Sequence, residues 1–121
     1  MPRILIVDDD DNQRLLYREF FEDEGYEVAD ARNGQDALAC IEHDLPDVVV
    51  LDINMPGMDG LQTLARIHDL NRHLPVILHS AYAAYKDQFV SWIADAYVTK
   101  SSNPDDLIQA VGAVLAKKSD E

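Results

Sequence analysis

Val48-Val49-Val50-Leu51-Asp52 and, near the start of the chain, Ile4-Leu5-Ile6-Val7-Asp8-Asp9 are two runs of the same kind: branched aliphatics without alternation, ending on carboxylates. An unalternating apolar run bounded in this way reads as a strand buried on both faces, as in the centre of a parallel sheet. Ligand crevices in open parallel sheets lie at the carboxyl ends of the strands. Three carboxylates are therefore expected to meet on one rim beside an apolar core. Like charges held that close are costly unless a cation sits among them. A divalent metal site follows as the first expectation.

Outward from these two runs, strands and helices alternate. Arg3 to Val7 is the first strand. Asp10 or Asp11 caps a helix whose buried face is read as Leu15, Leu16, Phe20 and Phe21, stopped by Gly25. Tyr26 to Ala31 is a second strand, and Asn33-Gly34 opens a helix through Ala37, Leu38 and Ile41. Asp47 to Asp52 is the third strand, Ile53 to Gly60 a loop, and Leu61, Leu64, Ile67 and Leu70 mark the third helix. Pro75 to Ser80 is the fourth strand. Tyr85, Phe89 and Ile93, at i, i+4 and i+8, predict a fourth helix over Ala83 to Ala94. Ala96 to Thr99 is a short fifth strand. Asn103-Pro104-Asp105-Asp106 combines a cap, a first-turn proline and first-turn acids, and starts a fifth helix buried through Leu107, Ile108, Val111, Val114 and Leu115.

Five strands alternating with five helices predict an α/β fold, a doubly wound (βα)5 parallel sheet of flavodoxin-like order 2-1-3-4-5. That order makes the first and third strands neighbours. Asp8, Asp9, Asp52, Ser80 and Lys100 then share one rim.

The bulk properties narrow the function. A chain of 121 residues makes one domain, taken as residues 1-121 with no output domain. The net charge of -13 argues against direct nucleic-acid binding, which needs clustered Lys and Arg. The lone Cys40 cannot form an internal disulfide. No apolar stretch approaches the roughly 20 residues of a membrane span, and no signal-peptide pattern precedes the first strand. The expectation is a cytoplasmic protein without membrane insertion.

A hydroxyl, a lysine and three carboxylates around one cation suit phosphoryl chemistry. Mg²⁺ favours oxygen ligands and is commonly held by one or two carboxylates plus phosphate oxygens. Asp9 and Asp52 are expected to ligate it directly, Asp8 through water, and the backbone carbonyl of Asn54 to complete the shell; Mn²⁺ suits the same ligands. Lys100 and Ser80 remain for the oxygens of a phosphoryl group. Asp52, central among them, is the candidate nucleophile.

Rival chemistries fit less well. A flavodoxin needs a Ser/Thr/Gly-rich phosphate loop after the first strand, where this chain has four aspartates. A haloacid-dehalogenase-type phosphatase needs a second carboxylate two residues after the nucleophile, where this chain has Asn54. A phosphorylation-independent interaction module is the remaining alternative. Taken singly, the acids read as a solvated loop and cap, His79 as a packed or hydrogen-bonded histidine, and Cys40 as core filler. Trp92 reads as either an interface anchor or core.

Asp8-Asp9, Asp52-Ile53-Asn54-Met55-Pro56-Gly57-Met58-Asp59-Gly60, Ser80-Ala81 and Lys100 together resemble the receiver domain of two-component response regulators, a CheY-like module. The likeness spans the whole chain in element order and spacing. It implies that Asp52 accepts a phosphoryl group from a histidine kinase or histidine phosphotransfer protein, that Asp8 and Asp9 are the acidic pair for Mg²⁺, that Ser80 is the switching hydroxyl and that Lys100 binds phosphate. It implies that Tyr97 is the aromatic that changes rotamer, remodelling the face of the fourth helix, fifth strand and fifth helix for a downstream protein target or a phosphorylation-dependent homodimer. It also implies a signalling switch rather than a turnover enzyme. The chain departs from the pattern at Ser101, where the family usually has a cis proline. Asn54 and Tyr82 flank the expected path of the hydrolytic water, with Asn54 orienting it and Tyr82 shielding it, for a phosphoryl lifetime intermediate in the family. The chain is expected to be a complete single-domain regulator; a receiver cut from a larger regulator or hybrid kinase is the alternative.

Overall fold

The computed structural model describes residues 2–53, 60–80, 94–100 and 103–119. Five strands, β1 (Arg3–Val7), β2 (Glu27–Ala31), β3 (Val48–Asp52), β4 (Val76–Ser80) and β5 (Ala96–Thr99), form one sheet in the order β2-β1-β3-β4-β5, parallel throughout. Helices α1 (Asp11–Asp23), α2 (Gly34–His43) and α3 (Gly60–Leu70) connect them, and α4 (Asp105–Ser119) follows β5. The helix expected over 83–94 falls outside the described residues except at Ala94, which is a bend.

The unbroken aliphatic runs behave as their composition requires. Every residue of β3 and β4 is buried, and alternate residues feed two separate cores. Leu5, Val7, Val49, Leu51 and Leu78 pack with Leu64 and Ile67 of α3 and Ala37 and Ile41 of α2. Ile4, Ile6, Val48, Val50 and Ile77 pack with Phe21 of α1 and Leu107 and Val111 of α4. A sheet covered on both faces has no solvated side and so no polar alternation.

Boundaries shift slightly where side chains cap the sheet. Asp47 stops short of β3 because its carboxylate accepts from the Arg3 backbone N–H at 2.7 Å, while its own N–H donates to the Arg3 carbonyl at 2.8 Å. Asp10 is the cap of α1, its side chain accepting from Asn12 and Gln13 N–H, and Asp11 is exposed in the first turn. Asn33 caps α2 through Asp36 N–H at 2.8 Å, and Asn103 accepts from Asp105 N–H at 3.0 Å at the start of α4. Gly25, at φ 92°, takes the left-handed turn that ends α1.

The inward face of α1 differs from expectation. Phe21 is buried and Tyr17 packs against the same cluster, whereas Leu15 and Leu16 are 58% and 46% exposed. At 3.6 residues per turn, Leu15 and Leu16 stand about 120° and about 140° from Phe21, on opposite sides of it. The face toward the sheet is the i, i+4, i+8 stripe Gln13, Tyr17, Phe21. Among the described residues no helix is long and apolar enough to cross a membrane.

Candidate functional site

The carboxyl rim of β1 and β3 gathers the acids. Carboxylate oxygens of Asp8, Asp9 and Asp52 lie within 4.8 Å of one another, with Asp8 and Asp52 buried and Asp9 exposed. Register places them: Val7 pairs with Leu51, so the next residue of each strand emerges on the same rim. The turn after β1 is fixed by Asp8 itself. Its Oδ1 accepts from Asp10 N–H at 2.9 Å, its backbone N–H donates to the Ala31 carbonyl at 3.1 Å, and its own carbonyl accepts from Arg14 at 2.7 Å.

Lys100 brings the counter-charge from the end of β5. Its Nζ lies 3.0 Å from Asp8 Oδ2 and 3.4 Å from Asp52 Oδ2, and its backbone N–H donates to the Ser80 carbonyl at 2.6 Å. Burial pulls the ammonium's pKa down, but Asp8 and then Asp52 outweigh it, and the pKa is raised above the usual lysine value. Lys100 stays charged at every physiological pH. Three carboxylates against one ammonium still leave net negative charge in a partly buried cleft. Hard oxygen donors with excess negative charge are the donor set that Mg²⁺ takes.

Ser80 is fully buried at the end of β4, one residue beyond His79, which pairs in register with Asp52. Tyr97 pairs with Leu78, is half-buried, and packs against the cluster shared with α2 and α3. Thus the carboxylates of Asp8, Asp9 and Asp52 cluster, Lys100 pairs with Asp8 and Asp52 and with the Ser80 backbone, and Tyr97 lies three residues upstream of Lys100. Asn54, Tyr82 and the Lys100–Ser101 turn involve positions outside the described residues.

Gly60 shapes the floor of this site. Its N–H donates to the Ile53 carbonyl at 2.8 Å, and a Cβ there would stand 2.3 Å from Ile53 Cα and 2.4 Å from the Asp52 carbonyl oxygen. Only glycine lets α3 start so close behind the strand that carries Asp52.

His79 is a packed histidine, 4% exposed, with its ring edge-on to Tyr17 at 5.0 Å and 76°. Burial, helped by the charge of Lys100, lowers its pKa to about 4, so it is neutral at physiological pH. Tyr17 is pushed up by burial, with Lys100 opposing and Asp8 and Asp52 reinforcing. Sequence reasoning passed over Tyr17 and Gln13, whose side chains line the seam between α1 and the rim. Their i, i+4 spacing with Phe21 was the available signal.

The pattern of a response regulator receiver domain matches residues 4–112. The chain belongs to the response regulator receiver family. Among curated relatives, this receiver is 42% identical over 80 residues to sporulation initiation phosphotransferase F of Bacillus subtilis (strain 168), covering 66% of the chain and 64% of that protein. It is 39% identical over 119 residues to the regulatory protein AtoC of Escherichia coli (strain K12), covering 97% of the chain but only 26% of AtoC. Among solved structures, the response regulator TrrA of Thermotoga maritima, in complex with Mg²⁺-BeF, superposes with a TM-score of 0.92 at 42% identity, covering 94% of this chain and 99% of that one. TrrA in complex with the histidine kinase ThkA gives a TM-score of 0.90 at 43% identity, over 95% and 99% of the two chains. A CheY-like receiver domain from Methanospirillum hungatei JF-1 gives 0.93 at 34%, over 99% and 98%.

Proposed function

We propose that this receiver is a phosphorylation switch whose acceptor is Asp52. One observation carries the reading: Asp52, buried at the end of β3, has a carboxylate oxygen within 4.8 Å of those of Asp8 and Asp9 and an oxygen 3.4 Å from the Lys100 ammonium. The donor is a phosphohistidine of a histidine kinase or histidine phosphotransfer protein, a reading supported by the kinase complex of the related TrrA. An Asp52 oxygen attacks phosphorus, the P–N bond breaks as the P–O bond forms, and the imidazole, already protonated on its other ring nitrogen, leaves as the neutral ring. Hydrolysis later cleaves the P–O bond by attack of water on phosphorus, restoring the carboxylate and releasing inorganic phosphate.

Asp8, Asp9 and Asp52, with the backbone carbonyl of Asn54, would hold Mg²⁺ or Mn²⁺; TrrA, the similar protein with Mg²⁺-BeF, supports this. The cation supplies charge neutralisation for the transferring phosphoryl oxygens. Lys100 balances a second oxygen, and Ser80 donates its hydroxyl to a third. Drawing Ser80 inward frees space for Tyr97, and the face around β5 changes for a downstream protein or a second copy of the chain. The output is a changed surface rather than a released product, as befits a cytoplasmic signalling switch.

Labelling by a phosphorylated histidine kinase, with and without EDTA, tests the reading. Transfer in Mg²⁺ that EDTA abolishes is the expected result, and binding of the kinase without any transfer would make the chain an interaction module instead.

A further inference from the structure

One partner of the Lys100 ammonium is not an acid. Nζ donates to Gln13 Oε1 at 2.6 Å and to Asp8 Oδ2 at 3.0 Å, and stands 3.4 Å from Asp52 Oδ2. An ammonium has three donors and no lone pair, so the Gln13 amide presents its oxygen and each donor has an acceptor at hand. Of these acceptors, Asp8 and Asp52 also belong to the three-acid cluster, and Asp8 Oδ1 already accepts from the Asp10 N–H. Gln13 is the neutral acceptor of the three, and it lies outside that cluster. It holds the ammonium without cancelling its charge.

The backbone fixes where that oxygen stands. Gln13 N–H donates to the Asp10 cap at 3.2 Å, and one turn further along α1 the Tyr17 ring meets His79 edge-on, on the strand residue paired with Asp52. So α1 is braced against β4 beside the acceptor, with Gln13 at the end of the brace nearest the rim.

We propose that Gln13 is a positioning residue for phosphoryl transfer that acts through Lys100: its amide oxygen keeps the ammonium on the α1 side of Asp52 when the carboxylates are otherwise engaged, leaving donors aimed at the incoming phosphoryl oxygens. This rests on reading Asp52 as the phosphoacceptor. A hydrogen bond to a charged group supports an effect of about tenfold.

The test uses Gln13→Met, which keeps length and helix propensity but removes the strong acceptor, together with Gln13→Glu, Lys100→Met and the Gln13→Met/Lys100→Met double variant. Labelling of Asp52 by acetyl phosphate in Mg²⁺ is expected to slow about tenfold in Gln13→Met, with no further slowing when the same change is made in Lys100→Met. In Mg²⁺-free protein, the ¹H–¹⁵N resonance of the Lys100 ammonium should be sharp in the wild type, broadened in Gln13→Met and restored in Gln13→Glu. Wild-type labelling at Asp52 with Gln13→Met unchanged, or slowed equally with and without Lys100, overturns the role of Gln13 alone. Absence of labelling in the wild type overturns both the phosphoacceptor reading and this role.

Discussion

The interior of the sheet and its carboxyl rim are built on opposite principles, although one strand, β3, runs through both. Val48 to Leu51 are at most 2% exposed and alternate between the two apolar cores. One residue later, Asp52 is almost as buried, at 5%, but faces two more carboxylates and a lysine. The first region gains free energy from every contact it makes. The second holds three carboxylates together that would separate if the backbone allowed it, with Lys100 paired to two of them. Stability supplied by the strands lets their ends be left with three clustered carboxylates, the arrangement on which the proposed phosphoryl switch rests.

If that contrast holds, substitutions on the two sides should differ in sign as well as size. The largest effect belongs to the interior: Ile6→Ala should lower unfolding stability by about 4 kcal/mol in denaturant titration, as for other fully buried aliphatic truncations. Next comes His79, on the border between the regions. Its folded pKa of about 4 lies below the usual value of 6.5, so the unfolded chain binds the extra proton first. The stability this histidine contributes is complete above about pH 6.5 and fades as pH falls towards 4, by about 3 kcal/mol in all. The pH dependence of stability measured for His79→Met should be flatter than the wild type by that amount in this window, and parallel curves would contradict the burial argument.

A smaller cost, about 2 kcal/mol, is expected for Gly60→Ala, whose new Cβ must push α3 away from the Asp52 carbonyl. Because the displaced atoms carry the acceptor, phosphoryl labelling should suffer more than the melting temperature does. At the rim the sign reverses. Asp52→Asn removes one of three crowded negative charges and should raise stability of the metal-free protein by about 1 kcal/mol, a gain in calorimetry that comes with loss of function. The same variant should lose the stabilisation by Mg²⁺, which for wild type at a hundredfold excess over Kd is about 2.7 kcal/mol. A destabilised Asp52→Asn would mean that the ion pair with Lys100 outweighs the repulsion among the acids.

The sheet was legible because its strands are continuous aliphatic runs, a pattern no solvated element tolerates, and their order followed from strict alternation with helices. The acids were legible because a charge at the end of such a run has nowhere to go but the rim. The face of α1 was misjudged because Leu15 and Leu16 outweigh Gln13 and Tyr17 on any hydrophobic scale, although the geometry of the helix favours the latter pair. His79 read correctly as packed, but its partner could not be named, since the Tyr17 contact exists only once α1 packs on the sheet. The bond between Gln13 and Lys100 joins residues 87 positions apart and leaves no periodic trace in the sequence.

The claim on which all this depends is that the buried carboxylate of Asp52 takes up a phosphoryl group. Intact mass spectrometry after incubation with acetyl phosphate and Mg²⁺ measures it directly. The account predicts a single adduct of about 80 Da, the mass of one added phosphoryl group, in the wild type and none in Asp52→Asn. An unmodified wild-type chain, or an adduct that persists in Asp52→Asn, would contradict it.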